Sequence, residues 1–173
     1  MSTTSPMPPR AADGRAALLA LNQRLGAALT VLLYDLDRQR LHARAPAIDE
    51  RPLAMVARHA YAGVVEAATA AAMGLWRDEA TMDAPMATAD VSAATTETVA
   101  DLLAARDGMR ARVDALIEGL DPGALDRELD LPWGERLSAL DAIADALAHG
   151  FLHAGNIAGI RALAGFPTPA AED

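Results

Sequence analysis

The chain has 173 residues and a formal net charge of −9. That is enough for one domain with a real core, and it lacks the basic face that a nucleic-acid or anionic-membrane binder needs. There is no cysteine and no lysine, since all fifteen basic residues are arginine. This excludes disulfides, thiolate metal ligands, a cysteine nucleophile and lysine Schiff-base chemistry, so any thiol must come from outside. Apolar residues make up 52% of the chain but aromatics only 3%, so alanine and leucine dominate and favour helices over sheets.

Residues 1–12 are rich in Pro, Ser and Thr and read as a loose tail. No apolar run of membrane-spanning length is free of a charge or a histidine. The N-terminus also lacks the basic-then-apolar pattern of a signal peptide, so no membrane association and a cytoplasmic location are the expectations.

Apolar residues then recur at helical spacing through Leu18, Leu21, Leu25, Leu29, Leu32 and Leu36, which predicts a first helix over 13–42. Residues 43–49 connect it to a second helix over 50–75, which Asp49 can cap and in which Pro52 is tolerated in the first turn. His59 lies in this helix, and Glu66 follows about two turns further along the same side. Residues 76–90 are polar, contain Pro85 and read as a long crossover.

A third helix is predicted over 91–120, with Val99, Leu102, Leu103, Val113 and Ile117 in its apolar stripe and Asp121-Pro122-Gly123 as its stop. Residues 124–137 read as a loop, partly extended around Leu129 to Trp133. Ser138 then caps a fourth helix over 138–165, with Asp141 completing an S-x-x-D capping box. Residues 166–173 form a C-terminal tail. Four long helices without a convincing strand predict an all-α four-helix bundle in one domain, 13–165.

The fourth helix holds the centre of interest. His149 and His153 are four residues apart, hence about one turn apart on one face. Asp145, Asn156 and Ile160 share that face, while Leu140, Leu147, Phe151, Ala154 and Ala158 occupy the other. A helix apolar on both sides is either central or shared with a partner chain, and a homodimer is expected on that ground.

Two imidazoles so placed can grip one metal ion, with His59 of the second helix as a third ligand. Such a set suits zinc or nickel first, and iron or manganese as well. Three protein ligands leave a coordination position open, the pattern of a catalytic site rather than a closed structural one.

The alternative is that these are core histidines that hydrogen-bond within the bundle. His42 reads as a solvated residue at a helix end, suited to the helix dipole. Asp145 and Glu66 are candidates to orient imidazole rings or to act as general acid or base, although each can equally be an ordinary polar residue, and no catalytic residue is assigned. Trp133 is either a packing lid or the lining of a pocket mouth. Phosphate loops, H-E-x-x-H, the G-x-S-x-G elbow and paired Glu-x-x-His motifs are all absent from the sequence.

The run L-P-W-G-E-R-L-S-A-L-D-A-I, followed by H-G-F-L-H-A-G-N-I-A-G-I-R-A-L-A-G, resembles the C-terminal half of the DinB-like (YfiT-like) superfamily. There a W-G loop precedes a helix bearing H-x-x-x-H-x-G-Q-I. P-L-A-M-V-A-R-H-A-Y resembles the family's second helix, which carries its first histidine. The likeness covers about residues 13–165. Asn156 departs from the pattern, standing where the family has glutamine.

The resemblance implies a four-helix bundle, often dimeric, with one divalent metal held by His59, His149 and His153. It also implies kinship with transferases and isomerases that depend on mycothiol, bacillithiol or glutathione. Two functions follow as expectations. One is a metal-dependent enzyme that activates a low-molecular-weight thiol or a water, of thiol S-transferase or hydrolase type. The other is a non-enzymatic metal-binding or stress-related dimer, and a third possibility is a histidine relic that binds no metal. An open cavity beside the histidines would favour the enzyme, and a sealed site the binding protein.

Overall fold

A computed structural model describes residues 9–76, 98–121, 123–131 and 133–167. Its elements are α1 (Pro9–Leu33), α2 (Arg38–Leu41), α3 (Leu53–Met73), α4 (Val99–Gly119), β1 (Glu128–Asp130), β2 (Arg136–Ser138) and α5 (Ala139–Leu163). The four long helices form the bundle. α3 packs between α4 and α5, and α1 packs between the same two from the other side, so α1 and α3 are diagonal.

The leucine spacing of α1 buries Leu18, Leu25, Leu29 and Leu33 completely or nearly so. By length and composition alone Gly14–Leu33 could cross a membrane, with a mean hydropathy of 1.5. It carries Arg15 and Arg24, however, and its buried leucines belong to the bundle core. α5 is apolar on both sides because it lies against α1 and α3 at once.

α3 is built for close approach. Ala57, Ala60, Ala67, Ala68 and Ala71 are all buried. Opposite them α5 presents Gly150, where an added Cβ would stand 2.7 Å from the Ala60 carbonyl oxygen and 2.7 Å from Leu25 Cδ2. The two backbones therefore meet directly after His59 and His149, the residues preceding Ala60 and Gly150.

The structure corrects several sequence expectations. α1 begins at Pro9, where a proline suits the first helical turn, so residues 9–12 are helical and not tail. The expected helix 13–42 breaks after Leu33. Arg161 of α5 donates to the Leu32 carbonyl at 2.8 Å and makes a two-pronged ion pair with Asp35 at 2.7 and 2.8 Å. It occupies a carbonyl that the next turn would otherwise take. Asp37 then caps the one-turn α2 by accepting from the Arg40 backbone N–H at 2.8 Å.

Asp49 does not cap the second helix. Pro52 is the N-cap of α3, and the Asp49 carboxylate instead holds the backbone and guanidinium of Arg51. The third helix starts at Val99, not 91, because Thr98 and Asp101 form a full capping box. Residues 91–97 and 77–90, nearly all of the expected crossover, lie outside the described residues, as do the rest of the N-terminal tail and residues 168–173.

The expected loop 124–137 contains a two-stranded antiparallel hairpin, with Leu129 opposite Leu137. Its turn closes through Leu131 N–H to Glu135 O at 2.8 Å, and Gly134 takes a φ of +91° there. Buried Leu129 and Leu131 pin the hairpin to the bundle. β2 runs straight into α5 at Ser138, whose hydroxyl accepts from Asp141 N–H and donates to the Asp141 carboxylate.

Candidate functional site

Three histidines converge where α3 and α5 are closest. The nearest ring nitrogens of His59, His149 and His153 all lie within 4.8 Å of one another. Nε2 of His149 and Nε2 of His153 are 2.9 Å apart. The three rings meet edge to face, with centroids 6.0 Å apart for His59 and His149, 4.9 Å for His59 and His153, and 4.4 Å for His149 and His153. His153 is buried at 4% exposure, while His59 and His149 are exposed.

The donor set fits a divalent cation. Tetrahedral zinc holds imidazole nitrogens at about 2.0–2.1 Å, which sets neighbouring ligands about 3.3 Å apart, close to the spacing of the two α5 nitrogens. Burial pushes the His153 pKa down to about 4, with further lowering from His149 and His59. The ring is therefore neutral at physiological pH, the state in which imidazole binds a metal. Its Nδ1 is buried without a hydrogen-bond partner among the described residues. The Asp49–Arg51 pair is close enough for both charges to act on this ring, in opposite senses.

A cavity of about 410 Å³ opens beside the histidines. His59 and His149 form part of its wall, together with Glu66 from α3 and Asp145 from α5. The hairpin supplies Leu131, Trp133, Glu135 and Leu137, and the end of α3 leads into Trp76. Trp133 and Trp76 meet edge to face with ring centres 5.6 Å apart. Trp133 Nε1–H donates to Glu135 Oε2 at 2.9 Å.

His59, His149 and His153 thus come together as the sequence suggested, and Asp145 and Glu66 line the cavity next to them. Trp133 lines the cavity, exposed on one side, and also packs edge to face on Trp76. Asn156 is half-buried and is not among the residues lining the cavity. His42 is the C-cap of α2 and borders a different surface depression, with Arg40 and Phe166. Trp76 and Glu135 went unnoticed in the sequence. The one available signal was the tryptophan itself, rare in a chain with only two.

A model of the DinB superfamily matches residues 21–157, a stretch that contains all three histidines. The chain belongs to the DinB superfamily. Two solved structures share the fold of this DinB-superfamily chain. YfiT from Bacillus subtilis, described as a probable metal-dependent hydrolase with an unusual four-helix bundle topology, superposes with a TM-score of 0.70 at 14% identity, over 96% of this chain and 94% of that one. A mutant of a mycothiol-dependent maleylpyruvate isomerase superposes with a TM-score of 0.60 at 14% identity, over 83% of this chain and 60% of the isomerase. At that identity the likeness is one of fold. No curated protein sequence matches the chain.

Proposed function

We propose that this DinB-superfamily protein is a metal-dependent enzyme whose divalent cation is held by His59, His149 and His153. When bound, the metal supplies Lewis acidity that draws a proton from a water or a low-molecular-weight thiol near neutral pH. Hydrolysis and thiol S-transfer are the two reaction types this chemistry serves, and an outside thiol is in keeping with a chain that has none.

The observation that carries the reading is the open cavity against the histidines. A triad sealed by apolar side chains would suit a protein that only binds metal. Here the exposed faces of His59 and His149 look into about 410 Å³ of space, room for a small substrate. His153, buried and neutral, anchors the set from below. Asp145, one turn before His149, and Glu66, two turns after His59, are the carboxylates positioned to handle a proton in the cavity.

The test is to load the purified protein with zinc, nickel or manganese. It is then assayed for ester and amide hydrolysis, and for conjugation of low-molecular-weight thiols to electrophiles. Turnover in one of these classes, abolished in His153→Ala, is expected. A protein that takes up no divalent metal, or metal-loaded protein inert in both, removes the proposal.

A further inference from the structure

The two nitrogens of the buried His153 ring are unlike. Nε2 stands 2.9 Å from His149 Nε2, on the side of the histidine cluster. Nδ1 is buried and has no hydrogen-bond partner among the described residues. A neutral imidazole carries one ring proton, and its position decides what the ring can do. With the proton on Nε2, His153 can donate to His149 but has no lone pair to offer a metal there. With the proton on Nδ1, Nε2 is free to bind, and a buried N–H is left that is costly until it finds an acceptor.

The connection before α3 brings an acceptor close. Asp49 N–H donates to the Ala45 carbonyl at 3.0 Å, folding the connection back on itself. Ile48 seats it against α5, its Cδ1 standing 2.5 Å from the place a Cβ on Gly159 would take. The Asp49 side chain is only 9% exposed, and its carboxylate and the His153 ring are within electrostatic reach of each other. Arg51 Nε donates to Asp49 Oδ1 at 2.9 Å and Nη2 to Oδ2 at 2.8 Å. Oδ2 accepts that one bond among the described residues, and a carboxylate oxygen can accept two.

We infer that Asp49 is a positioning residue for the metal centre: its carboxylate accepts from His153 Nδ1–H and so keeps Nε2 as the ligand atom. Metal-bound imidazoles are commonly oriented by such a partner on the other nitrogen. As a statement about the metal, this rests on the enzyme reading proposed above. As a statement about the ring, it is tested without metal. An ion pair that merely fastened the connection would need Asp49 and Arg51 equally, whereas a carboxylate that serves His153 needs Arg51 less.

The experiment uses full-length protein labelled with nitrogen-15, metal-free and zinc-loaded. Imidazole nitrogen shifts report which nitrogen of His153 holds the proton, with His153→Ala as the assignment control. Zinc affinity is read by competition with a chromophoric chelator. In the wild type the His153 proton is expected on Nδ1 in both forms, and in metal-free Asp49→Ala it is expected to move to Nε2. Zinc affinity should fall about tenfold to hundredfold in Asp49→Ala and by less in Asp49→Asn, which keeps an acceptor without the charge.

Arg51→Gln should stay within about threefold of the wild type. Adding Asp49→Ala to it should again cost about tenfold or more, with no unpaired guanidinium left to account for the loss. Should Asp49→Ala fail to fold, Asp49→Asn carries the same comparison. A His153 proton on Nε2 in the metal-free wild type, a proton unmoved by loss of the carboxylate, or equal zinc losses in the Arg51 and Asp49 variants overturns the inference. A wild type that takes up no zinc sinks the metal-enzyme reading, and the proton position still judges Asp49. Zinc uptake that ignores Asp49 does the reverse.

Discussion

His149 and His153 bring their Nε2 atoms to 2.9 Å on successive turns of α5, one ring at the cavity wall and the other buried beneath it. One imidazole must donate and the other accept for that contact to hold without a metal. The expected outcome of elemental mass spectrometry is about one divalent ion per chain, lost in His59→Ala as well as in His149→Ala. Retention in His59→Ala would mean that α3 contributes no ligand. Zinc at a hundredfold excess over its dissociation constant should raise unfolding stability by about 2.7 kcal/mol, read by denaturant titration.

Gly150 is the contact point of α3, α5 and α1. A methyl group there would press on the Ala60 carbonyl, which cannot rotate away, as well as on Leu25. Gly150→Ala should cost about 1–3 kcal/mol and, by prising α3 from α5 beside the histidines, weaken zinc affinity. Gly155→Ala, in the same helix with open space around it, should instead be neutral or stabilising by up to about 1 kcal/mol. Thermal unfolding and zinc titration of the two variants test the contrast.

Arg161 is fully buried, and Asp35 is its only carboxylate partner among the described residues. The guanidinium holds the Asp35 pKa below its ordinary value, chiefly through the direct hydrogen bond. Asp35→Ala leaves a buried cation with two carbonyls and the Phe166 ring but no carboxylate among the described residues, and should destabilise the fold by about 3 kcal/mol. A loss under 1 kcal/mol in denaturant unfolding at pH 7 would show that the pair does not pin the end of α1.

Asp49 answers to pH in a defined window. Its hydrogen bonds with Arg51 bring the carboxyl from 3.8 down to about 2. The folded value lies below the unfolded one, so the pair contributes fully above about pH 4 and its contribution is lost as pH falls toward 2. Partly exposed and screened, the pair is worth about 1 kcal/mol. Asp49→Asn should therefore flatten the stability profile between pH 4 and 2 and lower the plateau above it, as seen by urea unfolding across pH 2–7.

What could be read from the residues was whatever repeats or sits close in sequence. The leucines of α1 and the alanines of α3 announce helices because their spacing is local. The H-x-x-x-H of α5 announces a shared face for the same reason. His59 entered the set only as the histidine of the second helix, and its likeness to a family helix strengthened that reading, since nothing near it in sequence marks a ligand. The break after Leu33 stayed hidden because its cause, Arg161, is 126 positions from its partner Asp35. The hairpin was hidden by its shortness, as three residues per strand carry no periodicity. The cavity wall was hidden because Trp76, Trp133 and Glu135 adjoin it only once the hairpin folds back on the bundle.

The order of the helices around the bundle also bears on when the site comes into being. α1 is flanked by α4 and α5, and not by α3, so a growing chain cannot finish the bundle by stacking each helix on the one before. His59 is synthesised ninety residues ahead of His149, and the other two histidines join it only when α5 docks. The pocket and the histidine cluster therefore cannot form before α5 is made and packed. Damage to the C-terminal helix should leave earlier helices able to collapse while erasing the chemistry altogether.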